Sequence, residues 1–174
     1  MSTQSGRFCL PVFDPSTFHA ESAIIVGRKK GCFSMSDVHD KKTRSFNMSQ
    51  VRNKNTKPEE IVRKYLFTRG LRYRKNDARY PGHPDIVLPK YKTVVFVHGC
   101  FWHMHQGCPK ATLPTTNTDF WKNKLTSNVE RDVKEKAELE AMGWRVLIVW
   151  ECQLKKATRD QTLSSLYNHI TRVP

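Results

Sequence analysis

Eleven residues, His98-Gly-Cys-Phe-Trp-His-Met-His-Gln-Gly-Cys108, hold two cysteines and three histidines, and a further cysteine, Cys152, stands just past the apolar run Trp144 to Trp150. Three thiolates and one imidazole make a closed tetrahedral set, the arrangement expected of a structural zinc rather than a catalytic zinc with an open position. Cys100, His105, Cys108 and Cys152 are the expected ligands. His103 competes with His105 for the nitrogen position, because either reaches an ion from so short a loop. Buried free thiols are the other reading of the same cysteines.

The remaining cysteines, Cys9 and Cys32, lie in a region of different character, and an odd total of five without a secretory signal speaks against a disulfide framework. No apolar run approaches the roughly 20 residues that span a bilayer, so neither a membrane nor export is expected and the compartment read from sequence is the cytoplasm. A chain of 174 residues suits one well-buried domain with arms. Its formal charge of +14 favours a polyanionic partner, nucleic acid first. The excess is concentrated, with twelve Lys or Arg between Lys41 and Lys75 opposed only by Glu59 and Glu60.

Along the chain, residues 1–34 show no sustained period and read as an irregular extension, and Met35 is itself a plausible start. From Asp37 to Asn55 the chain is polar and basic without an apolar face, which reads as an arm that orders on a partner. Thr56-Lys-Pro-Glu59 has the form of a capping box opening a helix whose apolar face is Ile61, Val62, Tyr65 and Leu66, stopped at Gly70. Strands are expected at Leu71 to Lys75, Asp85 to Leu88 and Thr93 to His98, the last two joined by a turn through Pro89 to Lys92. A long helix is expected from about Thr118 to Met142, with Trp121, Leu125, Val129, Val133 and Ala137 repeating every four residues. The run Trp144 to Trp150 is expected as a central strand, and a helix with Leu163, Leu166 and Ile170 closes an α/β chain whose mixed sheet is flanked by helices.

Within this frame a few polar residues invite chemistry. Asp85 opens an otherwise apolar strand, where a carboxylate is costly to desolvate unless a cation meets it, so it is a candidate metal ligand; capping a turn is the other reading. Hairpin spacing sets Asp85 opposite Phe96, give or take one residue, and brings a backbone carbonyl near Val97 to the same place. Whichever histidines zinc leaves free can move protons at neutral pH, His103 first and His98 beside it. Phe101 and Trp102, adjacent on a metal-braced loop, suit a wedge between base pairs, and Trp121 can join them or pack in the core.

With these blocks in view, residues from Met35 to about Lys155 resemble the very short patch repair endonucleases, which nick T:G-mismatched DNA on the 5′ side of the thymine. The resemblance runs through Asp37-Val-His-Asp40, Asn55 to Glu60, Pro81-Gly with Pro84-Asp85, His98 to His103, Phe120-Trp121, Asn128-Val-Glu-Arg-Asp132 and Gly143 to Cys152. It implies a restriction-endonuclease-like core with a structural zinc site, an endonuclease domain over 56–174 and a basic DNA-binding arm over 35–55. By position it implies Asp85 as the magnesium-binding carboxylate with the main-chain carbonyl of Val97, Glu59 ordering metal-bound water, and His103 as the catalytic histidine. It carries over Cys100, His105, Cys108 and Cys152 as zinc ligands, although one extra residue lies between His105 and Cys108, and Phe101, Trp102 and Trp121 as aromatics that enter the base stack. It further implies a nucleoid-associated monomer acting on mismatched double-stranded DNA, with mismatch-repair proteins such as MutL as partners. A restriction-type nuclease cutting paired duplex and a zinc-stabilised DNA-binding module without catalysis are the competing readings.

Overall fold

The computed structural model describes residues 41–50 and 54–172. The N-terminal extension over 1–34 and the parts of the basic arm at 35–40 and 51–53 lie outside the described residues. What is described of that arm contains a helix, α1, Lys41–Ser49, where sequence offered no folding face. Its Phe46 and Met48 are exposed, so no apolar face of it is buried at these two positions, and the helix ends with Gln50 N–H on the Phe46 carbonyl.

The remaining order is α2 Lys57–Thr68, β1 Ile86–Leu88, β2 Thr93–His98, α3 Thr118–Ala141, β3 Arg145–Trp150 and α4 Arg159–Thr171. Short 3-10 turns, Pro89–Tyr91 and Glu151–Leu154, follow β1 and β3. The strands form one mixed sheet in the order β1-β2-β3. β1 and β2 are antiparallel, joined by the tight turn, and β2 and β3 are parallel, as a helix-linked crossover requires. α3 ends at Gly143, whose φ of +76° sits in the left-handed region that closes a helix and admits glycine without strain.

Alternation along the strands separates two layers. Ile86, Leu88, Val95 and Val149 pack with Val62 and Leu66 of α2 and Leu163, Leu166 and Ile170 of α4. Val87, Val94 and Trp144 pack with Leu139 of α3 on the opposite face. Arg145 pins the end of α4 by donating to the carbonyls of Ile170 and Arg172 as well as to the Thr93 hydroxyl.

Three sequence expectations change. The stretch expected as a strand at 71–75 contributes one bridge, Arg74 to Val87, because the chain turns away at Asn76 in a left-handed conformation. β3 is an edge strand, not the central one; it is apolar because helices cover both of its faces, and Ile148 is still 39% exposed. The inward face of α3 is also displaced from the apolar repeat. Leu125, Asn128 and Leu139 are buried, Asp132 and Glu135 are half-buried, and Val133 is 52% exposed.

This assignment of faces predicts unequal costs on α3. Leu139→Ala removes a fully buried side chain and is expected to destabilise by about 2–5 kcal/mol in urea unfolding, whereas Val133→Ala is expected to stay within about 0.5 kcal/mol. Equal losses at the two positions would contradict the assigned face.

Candidate functional site

The loop after β2 is wound as consecutive turns. His103 N–H bonds to the Gly99 carbonyl, His105 N–H to Cys100 and Cys108 N–H to His105. Gly107, at φ +69° with open space where a side chain would begin, lets the chain turn sharply between His105 and Cys108. The result brings Cys100, His105, Cys108 and Cys152 together, with one donor atom from each lying within 4.8 Å of the others. His105 Nδ1 faces the sulfurs, 3.3 Å from Cys152 Sγ and 3.6 Å from Cys100 Sγ. Trp150 stacks flat on the His105 ring at 4.0 Å and fixes its plane.

The chemistry of this cluster fits a soft divalent cation. Burial pushes the Cys100 thiol up to about 12, with the neighbouring thiols adding to the effect, so its thiolate needs a positive charge nearby. The backbone N–H of Lys110 leads the effects that draw Cys108 downward, and burial also lowers His105, which favours the unprotonated form that can ligate. Among the described residues, these four form one of two such groupings.

The other grouping is His98, His103 and Asp132. Here the two imidazoles are stacked at 3.8 Å and 11°, so their in-plane lone pairs lie in parallel planes and do not converge on one ion. A hydrogen-bonded relay accounts for the geometry better. His103 Nδ1 bonds to Asp132 Oδ2 at 2.5 Å. His103 is thereby turned away from the cysteines, and the two histidines that competed in sequence take different places. His98 is buried, and burial, followed by the nearness of His103, lowers its pKa to about 4, which leaves it neutral around pH 7.

Asp85 stands where the hairpin spacing set it. The register Ile86↔Val95 extends it opposite Phe96, and the Val97 N–H donates to its Oδ2 at 2.7 Å. The N–H and C=O of one strand residue leave on the same side, so the Val97 carbonyl also faces the β1 side of β2. Burial raises the Asp85 pKa to about 6; the Val97 bond and the charges of Arg63 and His103 oppose the rise, while Glu59 adds to it. A buried carboxylate so weakly compensated is a fitting ligand for a hard cation.

Glu59 is buried in the first turn of α2, where its carboxylate accepts from the Asn55 N–H, the Thr56 N–H and the Thr56 hydroxyl. The capping role read from sequence is therefore present. Arg63, one turn later, pairs with Glu59 at 2.9 Å.

Phe101, Trp102 and Trp121 meet edge to face or tilted, with ring centroids 5.1 to 6.0 Å apart. Phe120, 61% exposed, packs against Trp121 at 5.3 Å. Asn128 holds this cluster to α3 by donating to the Trp102 carbonyl at 3.1 Å.

Sequence reasoning assigned no role to Asp132, Asn128, Arg63 or Trp150. Two signals were present in their spacing. Asn128 and Asp132 stand one turn apart on the inward stripe of α3, and Glu59 and Arg63 stand one turn apart on α2.

Residues 36–110 match the family described as DNA mismatch endonuclease Vsr. A type II nicking enzyme of Neisseria meningitidis is 55% identical over 137 residues, 78% of this chain and 97% of that protein. The DNA mismatch endonuclease Vsr of Escherichia coli is 48% identical over 121 residues, covering 70% and 77%. A type II nicking enzyme of Xanthomonas oryzae is 47% identical over 120 residues, covering 69% and 88%.

The bond from Asn128 to the Trp102 carbonyl yields a prediction. Asn128→Ala leaves that carbonyl without its donor and is expected to cost about 1–3 kcal/mol, together with a change in tryptophan fluorescence as Trp102 and Trp121 lose their fixed contact. A variant with unchanged stability and emission would show that Asn128 does not hold the aromatic cluster.

Proposed function

The chain belongs to the DNA mismatch endonuclease Vsr family, and from that membership and the geometry above we propose that it nicks one strand of duplex DNA on the 5′ side of the thymine in a T:G mismatch. It is an endonuclease of the strand-nicking kind, built as an α/β chain with a small mixed sheet. We read that sheet and its flanking helices as the restriction-endonuclease-like core over 56–174, preceded by a DNA-binding arm at 35–55. The observation that carries the reaction is the juxtaposition, at one end of the sheet, of a buried carboxylate, Asp85, with a histidine relay, His103 and Asp132.

Asp85 and the Val97 carbonyl would hold a magnesium ion, which when bound supplies positive charge against the phosphate and the leaving oxygen. His103 does the proton chemistry. With Nδ1 donating to Asp132, its Nε2 carries the lone pair and takes a proton from the attacking water, while the carboxylate stabilises the imidazolium that forms. His98, neutral and stacked on His103, holds that ring in plane. Glu59, its oxygens engaged by the first turn of α2 and by Arg63, adds negative charge near Asp85.

Cys100, His105, Cys108 and Cys152 would hold zinc, whose part is structural: a closed ligand set that braces the loop carrying Phe101 and Trp102. Those aromatics and Trp121 enter the stack at a weakly paired step, where unstacking costs least, so the mismatch is selected through deformability. The excess of +14 draws the protein to the backbone. Mismatch-repair proteins such as MutL are the proposed partners of a monomer acting on nucleoid DNA. No helix among the described residues is long and apolar enough to cross a membrane.

Nicking of a T:G heteroduplex beside its fully paired control, with Asp85→Ala and His103→Ala, tests the reaction. Wild type with magnesium is expected to cut one strand of the heteroduplex and leave the control intact. Asp85→Ala should be inactive, and His103→Ala should lose about 10²–10⁴-fold in rate. Double-strand breaks in the paired control would favour a restriction-type enzyme, and wild-type rates in Asp85→Ala would remove the proposed metal carboxylate.

A further inference from the structure

Arg63 is a buried guanidinium, only 6% exposed, to which the reaction as proposed gives no task. Its bonds run to four residues. Nη2 pairs with Glu59 Oε2 at 2.9 Å, and Nε and Nη2 donate to the main-chain carbonyl of Asp85 at 3.3 and 3.0 Å. The side-chain oxygens of Asn55, at 2.9 Å from Nη1, and of Asn76 complete its surroundings. Both asparagines have left-handed backbone, φ +54° and +48°, a conformation that costs a residue with a side chain. Two unfavourable turns thus converge on one cation.

A buried ion pair is a poor device for stability alone, since packed apolar side chains of similar volume do as well. What an apolar side chain cannot do is clamp a carbonyl oxygen. Arg63 bonds to the main chain of Asp85, reaches its carboxylate only through charge, and takes its own direct counter-charge from Glu59. From the other side, the Val97 N–H holds Asp85 Oδ2. Main chain and side chain of the same residue are therefore fixed by separate donors, and the remaining carboxylate oxygen is directed without being consumed by a guanidinium.

We infer that Arg63 is a positioning residue for the nicking reaction, clamping the Asp85 main chain to the Glu59 carboxylate so that the Asp85 side chain stands ready for a divalent cation. This inference rests on the reading of Asp85 as the cation-holding carboxylate. It also gives Glu59 a definite part, as the anion that keeps Arg63 off the Asp85 carboxylate.

Arg63→Lys and Arg63→Met beside wild type test it in two readings. One is the magnesium dependence of heteroduplex nicking. The other is manganese binding to the protein on a duplex with an uncleavable linkage, followed by loss of the free-ion signal in electron paramagnetic resonance. Arg63→Met is expected to half-saturate at roughly tenfold higher metal concentration in both readings, the scale of losing charge-assisted hydrogen bonds. Lysine, which keeps the charge without the fork, should fall between methionine and wild type, and duplex binding without metal should be unchanged. Should Arg63→Met fail to fold, the lysine variant decides. Variants that melt earlier yet keep wild-type half-saturation would make Arg63 a scaffold residue only and overturn the inference. Wild-type manganese binding by Asp85→Asn would instead overturn the reading of Asp85, so the two failures are distinguishable.

Discussion

The convergence of Cys100 and Cys152, 52 residues apart in sequence, follows from the parallel register of β2 and β3. His98 is paired with Trp150, so each cysteine stands two residues beyond a paired strand end and the two leave the sheet side by side. His105 and Cys108 then close the set from within the loop. The loop side of the proposed site depends on this convergence. The loop holds His103 against α3 and sets Phe101 and Trp102 beside Trp121. Without a ligand-type anchor, a segment running irregularly from β2 to α3 would have little apolar burial to set against its conformational entropy.

α3 serves the core and the site at different heights. Near its end Leu139 is buried among Val87, Val94 and Trp144. Further back the same stripe presents Asp132 to His103 and Asn128 to the Trp102 carbonyl. Polar groups so placed cost desolvation unless satisfied, and here each is matched to one group of the loop. Helix, loop and sheet end therefore have to be assembled together, which joins His103 and the aromatic cluster to the same helix.

This arrangement also explains what sequence could and could not reveal. The strands from Ile86, Thr93 and Arg145 and the helices around Ile61, Leu125 and Leu166 were legible because caps, turns and apolar runs mark them locally. The opposition of Asp85 and Phe96 was legible from the turn alone. The inward face of α3 was not, because a search for apolar periodicity follows Val129 and Val133 and passes over Asn128 and Asp132, which face inward to make bonds. β3 looked central because it is covered on both faces, a pattern that layers of helix produce as readily as neighbouring strands. Which histidine faces the cysteines depends on the winding of the loop. For Arg63 only the Glu59 spacing was legible, because its other partners, Asn55, Asn76 and Asp85, are assembled by tertiary contact.

X-ray absorption at the zinc edge of the purified protein, with elemental analysis of the same sample, addresses the fastening most directly. One zinc per chain is expected, surrounded by three sulfurs at about 2.3 Å and one nitrogen at about 2.0–2.1 Å, with one sulfur lost from the shell, or the metal lost altogether, in Cys152→Ala. A protein without stoichiometric zinc would remove the fastening, and a shell containing two imidazole nitrogens and fewer sulfurs would contradict the ligand set of Cys100, His105, Cys108 and Cys152.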